Sequence, residues 1–209
     1  MFTGIVEKSV PVASTADHPG GRRLSLGVRW GDERDGESIA VNGCCLTIAN
    51  IKDDGIEFDV VRQTLEKTNL GRLVKSDLVH VERSLRPMDR VDGHFVQGHV
   101  DGVAELIDRR GNDVEWRLRF RVEESLARYV IRRGSVSLDG VSLTVASVDG
   151  CEFEVALIPT TLQVTTLGLR PVGWSMNFEA DILVKTVAAV LERMNTLARD
   201  SDAPHPIAR

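Results

Sequence analysis

The ten residues VNGCCLTIAN (41–50) return in altered form as LDGVSLTVAS (138–147), 97 positions further along the chain. Similarity at a fixed spacing indicates that one structural unit occurs twice. Each copy places an Asn-Gly or Asp-Gly pair between two apolar runs. This is a strong β-hairpin signal, because type I′ turns need φ > 0 at both central residues. The stretch therefore predicts equivalent hairpins in two halves of the protein.

The similarity extends through two longer blocks at the same spacing. ESIAVNGCCLTI (37–48) aligns with GSVSLDGVSLTV (134–145), and IEFDVVRQTLEKTNLG (56–71) aligns with FEVALIPTTLQVTTLG (153–168) without a gap. Ungapped matches at one offset in separate blocks argue against a coincidence of β-rich composition. The sequence therefore predicts a duplicated domain.

The start of the chain aligns at a slightly different spacing. MFTGIVE (1–7) matches HVDGVAE (99–105) at 98 positions, which predicts one inserted residue before the first hairpin. The expected units are an N-terminal barrel at 1–97, a C-terminal barrel at 98–185, and a helix with a tail at 186–209.

Composition excludes several classes of protein. The 209 residues are 42% hydrophobic and 27% charged, as in ordinary globular proteins. A net charge of −5 gives no electrostatic footprint for nucleic acid or an anionic membrane. No apolar run approaches the roughly 20 residues of a spanning helix, and the start lacks the features of a secretory signal. Three cysteines do not suggest a disulfide framework, so a cytoplasmic location is expected.

The fold class follows from short runs rich in Val, Ile, Leu and Thr. Gly, Asp, Asn or Pro interrupts these runs about every eight to twelve residues, which is typical of all-β barrels or sandwiches. We therefore predict two similar β-barrels in tandem.

The segment ADILVKTVAAVLERMNTLARDSD departs from this pattern and predicts a C-terminal helix with an apolar stripe at heptad spacing. Such a helix either packs on its own barrel or joins subunits, and the pattern favours joining subunits. The final APHPIAR (203–209) is expected to be disordered. The stripe consists of Leu183, Val187, Val190, Met194 and Leu197.

Neighbouring side chains on a strand point to opposite faces, so Cys44 and Cys45 cannot share one environment. Cys45 and Thr47 lie on one face, and Ser142 and Thr144 occupy the equivalent positions of the second half. A lone cysteine is usually a small buried hydrophobe. The repeated polar pair instead favours a functional role for Cys45 and a core position for Cys44.

The stretch DGHFVQGHVDG (92–102) contains two histidines, His94 and His99. Their spacing of five does not let both bind one metal ion from a single helix or strand, so no metal site is expected. Flanking glycines predict a tight connection between the barrels, where a histidine could act on a ligand. His99 aligns with Met1 and Asp181 with Ser84, so the halves differ in polar groups. This asymmetry would suit two identical substrates in different roles.

Together these motifs resemble the riboflavin synthase family of the α-chain type, over residues 1–195. The family implies two six-stranded Greek-key barrels with a C-terminal helix, three chains joined through their helices, and no external cofactor. It implies a four-carbon transfer between two molecules of 6,7-dimethyl-8-ribityllumazine, in a site between the first barrel of one chain and the second barrel of a neighbour. The motifs are MFTGIVE, VNGCCLT, TLEKTNLG, GHFVQGHVDG, DGVSLTV and IPTTLQVTTLG.

The resemblance also implies roles for individual residues. His99 would assist deprotonation of the 7-methyl group, and water, Ser142 or Cys45 would attack the acceptor lumazine, with Asp181 orienting or deprotonating the hydroxyl. Holding the two ring systems together could itself supply roughly 7–11 kcal/mol. The expected catalytic residues are Cys45, His99, Ser142 and Asp181, and the expected substrate-binding residues are Phe2, Thr3, Gly4, Ser38, Thr47 and Thr144.

The chain departs from the family pattern at three positions. It has Asp92 before Gly93-His94 where the family has Gly, Gln63 where Glu is usual, and Thr160 where His is common. The family has non-catalytic relatives, the lumazine and yellow fluorescent proteins, so a lumazine or flavin carrier is the alternative function. A structural β-module is a third. Association with lumazine synthase is a further expectation.

Overall fold

The computed structural model describes residues 1–111 and 116–201, with side chains as far as residue 196. Twelve strands of this part form two closed, antiparallel barrels of six strands each. The first barrel contains β1 (Lys8–His18), β2 (Gly21–Leu26), β3 (Ser38–Val41), β4 (Cys44–Lys52), β5 (Gly55–Val61) and β6 (Leu78–Arg83). The second contains β7 (Gly102–Gly111), β8 (Trp116–Arg121), β9 (Ser135–Leu138), β10 (Val141–Asp149), β11 (Glu152–Leu157) and β12 (Ser175–Ala180).

Both barrels have the same strand order. The sequence β1-β2-β5-β4-β3-β6 around the first barrel is repeated as β7-β8-β11-β10-β9-β12 around the second. Short helices α1 (Arg62–Lys67) and α3 (Pro159–Val164) follow the fifth strand of each barrel, and α2 (Glu124–Ala127) precedes β9. Each barrel encloses its own apolar core, centred on Phe58 in the first and on Phe120, Phe153 and Phe178 in the second. The predicted all-β fold with two tandem six-stranded barrels is confirmed.

The predicted hairpin turns have the expected conformation. Asn42 and Gly43 have φ of 44° and 73°, and Asp139 and Gly140 have φ of 46° and 80°. The two turns also pack against each other. A Cβ on Gly43 would lie 2.6 Å from the Gly140 nitrogen, so this contact excludes a side chain as firmly as the backbone angle does.

The predicted alignment of the first residues is wrong. β1 has a bulge between Val12 and Ser14, and β7 has one between Leu106 and Asp108, so these strands correspond at 94 positions rather than 98. From β3 and β9 onward the spacing is 97. The second half therefore has three extra residues between its second and third strands, where α2 lies. The segment 2–7 is equivalent to 96–101.

Side chains of the last strands join the barrels. His80 on β6 contacts the Asp139 carbonyl through Nδ1 at 2.8 Å, and its Nε2 accepts from the Thr166 N–H at 2.8 Å. Asn177, the equivalent residue on β12, accepts from the Asn69 N–H at 2.7 Å and donates to a carbonyl of the first turn at 2.8 Å. These buried bonds fix the orientation of one barrel relative to the other.

The C-terminal helix α4 (Ile182–Ser201) begins four residues before the predicted boundary at 186. Its start is set by Asp181, whose Oδ1 accepts the Leu183 N–H at 2.9 Å. Four of the predicted stripe residues, Leu183, Val187, Val190 and Met194, are each more than half exposed. The side chain of Leu197 and the tail 203–209 lie outside the described part. Among the described residues, no helix has the length and apolarity needed to cross a membrane.

Candidate active sites on the two barrels

Each barrel receives a short segment from the beginning of the other repeat. The Cys45 N–H on the first barrel donates to the Gly98 carbonyl at 2.9 Å, and the Ser142 N–H on the second donates to the Gly4 carbonyl at 2.8 Å. Both glycines have positive φ, and a Cβ on either would lie 2.6 Å from the Cβ of its partner. Glycine is therefore required twice, for backbone angle and for space. We call residues 2–7 and 96–101 the exchanged segments.

A buried carboxylate holds each exchanged segment. Glu82 Oε1 and Oε2 accept the N–H groups of Thr3 and Gly4 at 2.6 and 3.0 Å. Glu179 accepts those of Gln97 and Gly98 at 2.7 and 3.0 Å. Burial raises the pKa of both carboxyl groups, that of Glu179 to about 7, while these hydrogen bonds oppose the rise.

Cys45 lies at the edge of a cleft of about 250 Å³ on the first barrel, together with the exposed His99. Burial on β4 alternates, so Cys44 points into the core and Cys45 away from it. Burial raises the pKa of the Cys44 thiol to about 12, which leaves that sulfur unreactive at neutral pH. Gln63 and Thr64, from the start of α1, line the same cleft.

On both barrels, a serine of the neighbouring strand lies opposite the threonine of the predicted polar pair. Ser38 on β3 lies directly opposite Thr47 on β4, and Ser135 lies opposite Thr144. Residues directly opposite in an antiparallel pair share one face, so Ser38 and Thr47 lie on the face of Cys45. Thr47 and Thr144 are exposed and open to a ligand.

The N-terminal residues are less accessible than expected. Phe2 is fully buried and packs with Ala40, Val96 and Cys45. The Thr3 hydroxyl donates to Glu82 Oε1 at 2.7 Å. In the single chain Phe2 is therefore closed to a ligand, whereas Thr3 lies at a cleft of about 270 Å³ with its hydroxyl already bonded to Glu82.

The second barrel has a histidine that the sequence analysis did not place in the site. His94 Nδ1 lies 2.7 Å from Ser142 Oγ, while its Nε2 is buried without a partner among the described residues. Burial lowers the pKa of His94, and the Asp181 carboxylate opposes that effect. Gly93 makes the approach possible, because a Cβ there would lie 2.9 Å from Ser142 Cβ. Gly93, which directly precedes His94, was the available signal.

The predicted catalytic residues therefore form two groups. Cys45 and His99 belong to the first barrel's cleft, and Ser142 and Asp181 belong with His94 on the second barrel. In the described ranges, no cluster of three or more His, Cys, Asp or Glu side chains is arranged to hold a metal ion.

The two halves match the family model of the lumazine binding domain, over residues 3–84 and 97–181. The matches begin 94 positions apart and end 97 apart, as the strands do. The fold and the two site-bearing repeats therefore define a protein with two lumazine-binding domains.

Curated relatives narrow this class further. Riboflavin synthase of Mycobacterium tuberculosis (strain ATCC 25618 / H37Rv) is 40% identical, covering 91% of this chain and 98% of its own. Riboflavin synthase of Escherichia coli (strain K12) is 37% identical, covering 93% of each. The chain belongs to the riboflavin synthase family.

Solved structures support the fold independently. A crystal structure of LumP complexed with 6,7-dimethyl-8-(1'-D-ribityl) lumazine superposes with a TM-score of 0.78 at 19% identity, covering 86% of this chain and 99% of LumP. The riboflavin complex of LumP gives a TM-score of 0.79 at 22% identity, with the same coverage. At such low identity the likeness concerns the fold alone.

Proposed function

We propose that the protein transfers a four-carbon unit between two molecules of 6,7-dimethyl-8-ribityllumazine. The products are riboflavin and 5-amino-6-ribitylamino-2,4(1H,3H)-pyrimidinedione. The observation that carries this proposal is the pair of like barrels with unlike polar groups at one equivalent position, Cys45 in the first and Ser142 in the second. Like barrels bind like molecules, and unlike groups give the two bound molecules different roles.

On the first barrel, His99 is the base for the donor lumazine. It stands exposed at the cleft that contains Cys45, so it can approach a bound ring without displacing a protein contact. It accepts a proton from the 7-methyl group, leaving a carbanion that the lumazine ring delocalises. Ser38, Thr47 and Cys45 contribute the polar wall of this site.

On the second barrel, Ser142 is the nucleophile toward the acceptor lumazine. Its Oγ forms a bond to the ring carbon that carries the 7-methyl group, the π-electron pair of that carbon's double bond moves into the conjugated ring, and the hydroxyl proton passes to His94 Nδ1 at 2.7 Å. Burial favours the neutral imidazole, which is the form able to accept that proton. Asp181 then stabilises the resulting imidazolium.

The complete active site requires two chains. We assign the apolar face of α4 to the contact that assembles a homotrimer, because its stripe residues are exposed in the single chain. The first barrel of one chain would then face the second barrel of its neighbour, with 1–97 and 98–185 as the functional units and 186–209 as the assembly segment. Truncation after Asp181 should give a monomer in sedimentation velocity, and a truncated trimer would refute the assignment.

We also propose a cytoplasmic location and association with lumazine synthase. The metabolic reason is that the lumazine made by one enzyme is consumed by the next. Cell fractionation checks the location. Co-sedimentation of the two purified proteins checks the association, and separate boundaries at micromolar concentration would exclude a stable complex.

The decisive experiment is incubation of the pure protein with 6,7-dimethyl-8-ribityllumazine, without added cofactor, while riboflavin is followed by absorbance. We expect one riboflavin for every two lumazine molecules consumed. Saturable quenching of lumazine fluorescence without riboflavin would instead indicate a carrier protein, and no change in fluorescence would indicate a structural module.

A further inference from the structure

A second carboxylate anchors each exchanged segment near its end. Glu7 Oε1 accepts the Arg83 N–H at 2.9 Å in the first half. Asp101 Oδ2 accepts the Ala180 N–H at 2.9 Å in the second. These two carboxylates occupy equivalent positions. Each accepts the N–H of the residue that directly follows the buried glutamate in the chain. Each exchanged segment is therefore fixed at two points.

The cation that neutralises this carboxylate differs between the halves. In the first half it is Arg83, from strand β6 of the barrel itself, 3.0 Å from Glu7. In the second half it is Lys185 of α4, whose Nζ lies 3.0 and 2.9 Å from the two oxygens of Asp101. Helix α4 has no counterpart in the first half, so the second half depends on a cation from outside its barrel.

The Lys185–Asp101 pair is connected to the first barrel's site by a short stretch of backbone. Asp101 is two residues after His99 and three after Gly98, whose carbonyl accepts the Cys45 N–H at 2.9 Å. Glu179 fixes the other end of the same stretch through the Gly98 N–H at 3.0 Å. Residues 97–101 thus lie between two anchors, with His99 between them.

Most surface ion pairs contribute little, since solvent screens them and side-chain entropy opposes them. The Lys185–Asp101 pair differs because both side chains are largely shielded, at 18% and 21% exposure, and Asp101 also accepts a backbone N–H. A second ion pair of α4, Arg128–Glu192, shows the ordinary case, with both side chains more than half exposed. It provides a matched control on the same helix.

We propose that Lys185 and Asp101 are positioning residues, which hold the exchanged segment 97–101 over Cys45 and so present His99 to the cleft. Helix α4 thereby sets the geometry of the first barrel's site in its own chain. The expected effect on turnover rests on the proposed function, whereas the expected effect on the accessibility of Cys45 does not.

The first test measures, by alkylation, how well segment 97–101 shields the Cys45 thiol. Iodoacetamide labelling followed by peptide mass spectrometry gives separate rates for Cys45 and for Cys151, which serves as an internal reference. In Lys185→Met we expect Cys45 to react about tenfold faster, as a loosened local segment opens more often. Lys185→Arg should restore the slow rate, and Glu192→Gln should leave it unchanged. Equal Cys45 rates in all four proteins would overturn the proposal.

The second test measures turnover in the same variants. We expect kcat to fall about tenfold in Lys185→Met, with a smaller change in KM, because misplacing a catalytic group affects the reacting geometry more than binding. Sedimentation velocity must show the wild-type assembly, so that a lost oligomer is not mistaken for a misplaced segment. Should Lys185→Met fail to fold, Asp101→Asn removes the same pair with almost no change in volume.

The two tests separate the two proposals. If Lys185→Met speeds the alkylation of Cys45 but wild-type protein makes no riboflavin, the proposed reaction is refuted and the positioning role is kept. Normal turnover with unchanged alkylation would refute the positioning role and keep the reaction. Slow turnover with unchanged alkylation would also refute it, since Lys185 would then act by another route.

Discussion

The two barrels share their strand order, touching turns and carboxylate anchors, but they differ in the side chains that lie beside the glycine of each exchanged segment. Cys45 lines a cleft beside the exposed His99, whereas Ser142 is hydrogen-bonded to the half-buried His94. Every shared contact includes a backbone group, either in the glycine contacts or as the N–H donor to Glu82 and Glu179, whereas the His94–Ser142 contact joins two side chains. The two repeats therefore share a backbone frame and differ in the side chains to which the proposed function gives separate roles.

The contact between the barrels also combines a shared geometry with different side chains. His80 and Asn177 occupy equivalent positions, and each reaches across with one donor and one acceptor. An imidazole can replace an amide there only while it is neutral. Burial lowers the pKa of His80 to about 4, so the neutral form persists at ordinary pH. Different residue types thus fulfil one geometric requirement.

The largest effect should come from removing Ser142, the nucleophile proposed for the second barrel. Ser142→Ala should lower kcat roughly 100-fold or more, because a positioned nucleophile and its base typically contribute 10²–10⁴-fold. Steady-state riboflavin formation measures the loss. Ser147→Ala is the control, since Ser147 lies on the same strand and bonds Glu154 at the surface.

The role of His94 sharpens this result. If His94 accepts the Ser142 proton, His94→Gln should cause a loss similar to that of Ser142→Ala, and the double variant should lose little more. Additive losses would show that the two side chains act separately. In that case His94 would not be the base that accepts the Ser142 proton.

Local turn chemistry explains why so much of the fold could be predicted. Asn42-Gly43 and Asp139-Gly140 specify their turns through their own backbone preferences, and strand alternation then fixes the face of Cys45. The alignment of the first residues was wrong because the exchanged segments share few identical side chains. Their likeness consists of backbone N–H groups bonded to Glu82 and Glu179, which no residue pattern displays.

Only part of the candidate site could be predicted, because the repeat displays some of its residues and not others. Cys45 and Ser142 could be found because each belongs to a repeated strand. His94 has no equivalent in the repeat, and only the folded path of the chain brings it to Ser142. The burial of Phe2 and Thr3 also depends on that path, since they pack on residues far away in sequence.

A smaller effect should appear in the pH dependence of stability, through the buried Asp139 of the second turn. Burial raises the pKa of Asp139 to about 7, above its value in the unfolded chain. A carboxyl group with a raised folded pKa contributes stability that is present at low pH and is lost as the pH rises toward 7. Wild-type protein should therefore lose about 2–3 kcal/mol between pH 5 and 8 from this residue.

Asp139→Asn tests this contribution and makes the second turn resemble the first. Its amide oxygen can still accept from Asn69 and from the Asn177 N–H, but it cannot ionise. Urea denaturation at several pH values should show a flatter decline in the variant, with the remaining slope due in part to Glu179. Asp149→Asn, at an exposed position, should keep the wild-type slope. Equal slopes in all three proteins would show that Asp139 is not protonated at neutral pH.

The smallest effect concerns the two adjacent cysteines. We expect a change at Cys44 to affect mainly stability and a change at Cys45 to affect mainly activity. Cys44 lies in the apolar core, so Cys44→Ala should lower the free energy of unfolding by about 1 kcal/mol and change kcat less than twofold. Cys45→Ser should leave stability nearly unchanged and reduce kcat about tenfold, because its thiol lines the cleft. Denaturation curves and riboflavin formation measure the two quantities. Equal effects on kcat would contradict the assignment of the two thiols to opposite faces, since that assignment gives only one of them access to a bound lumazine.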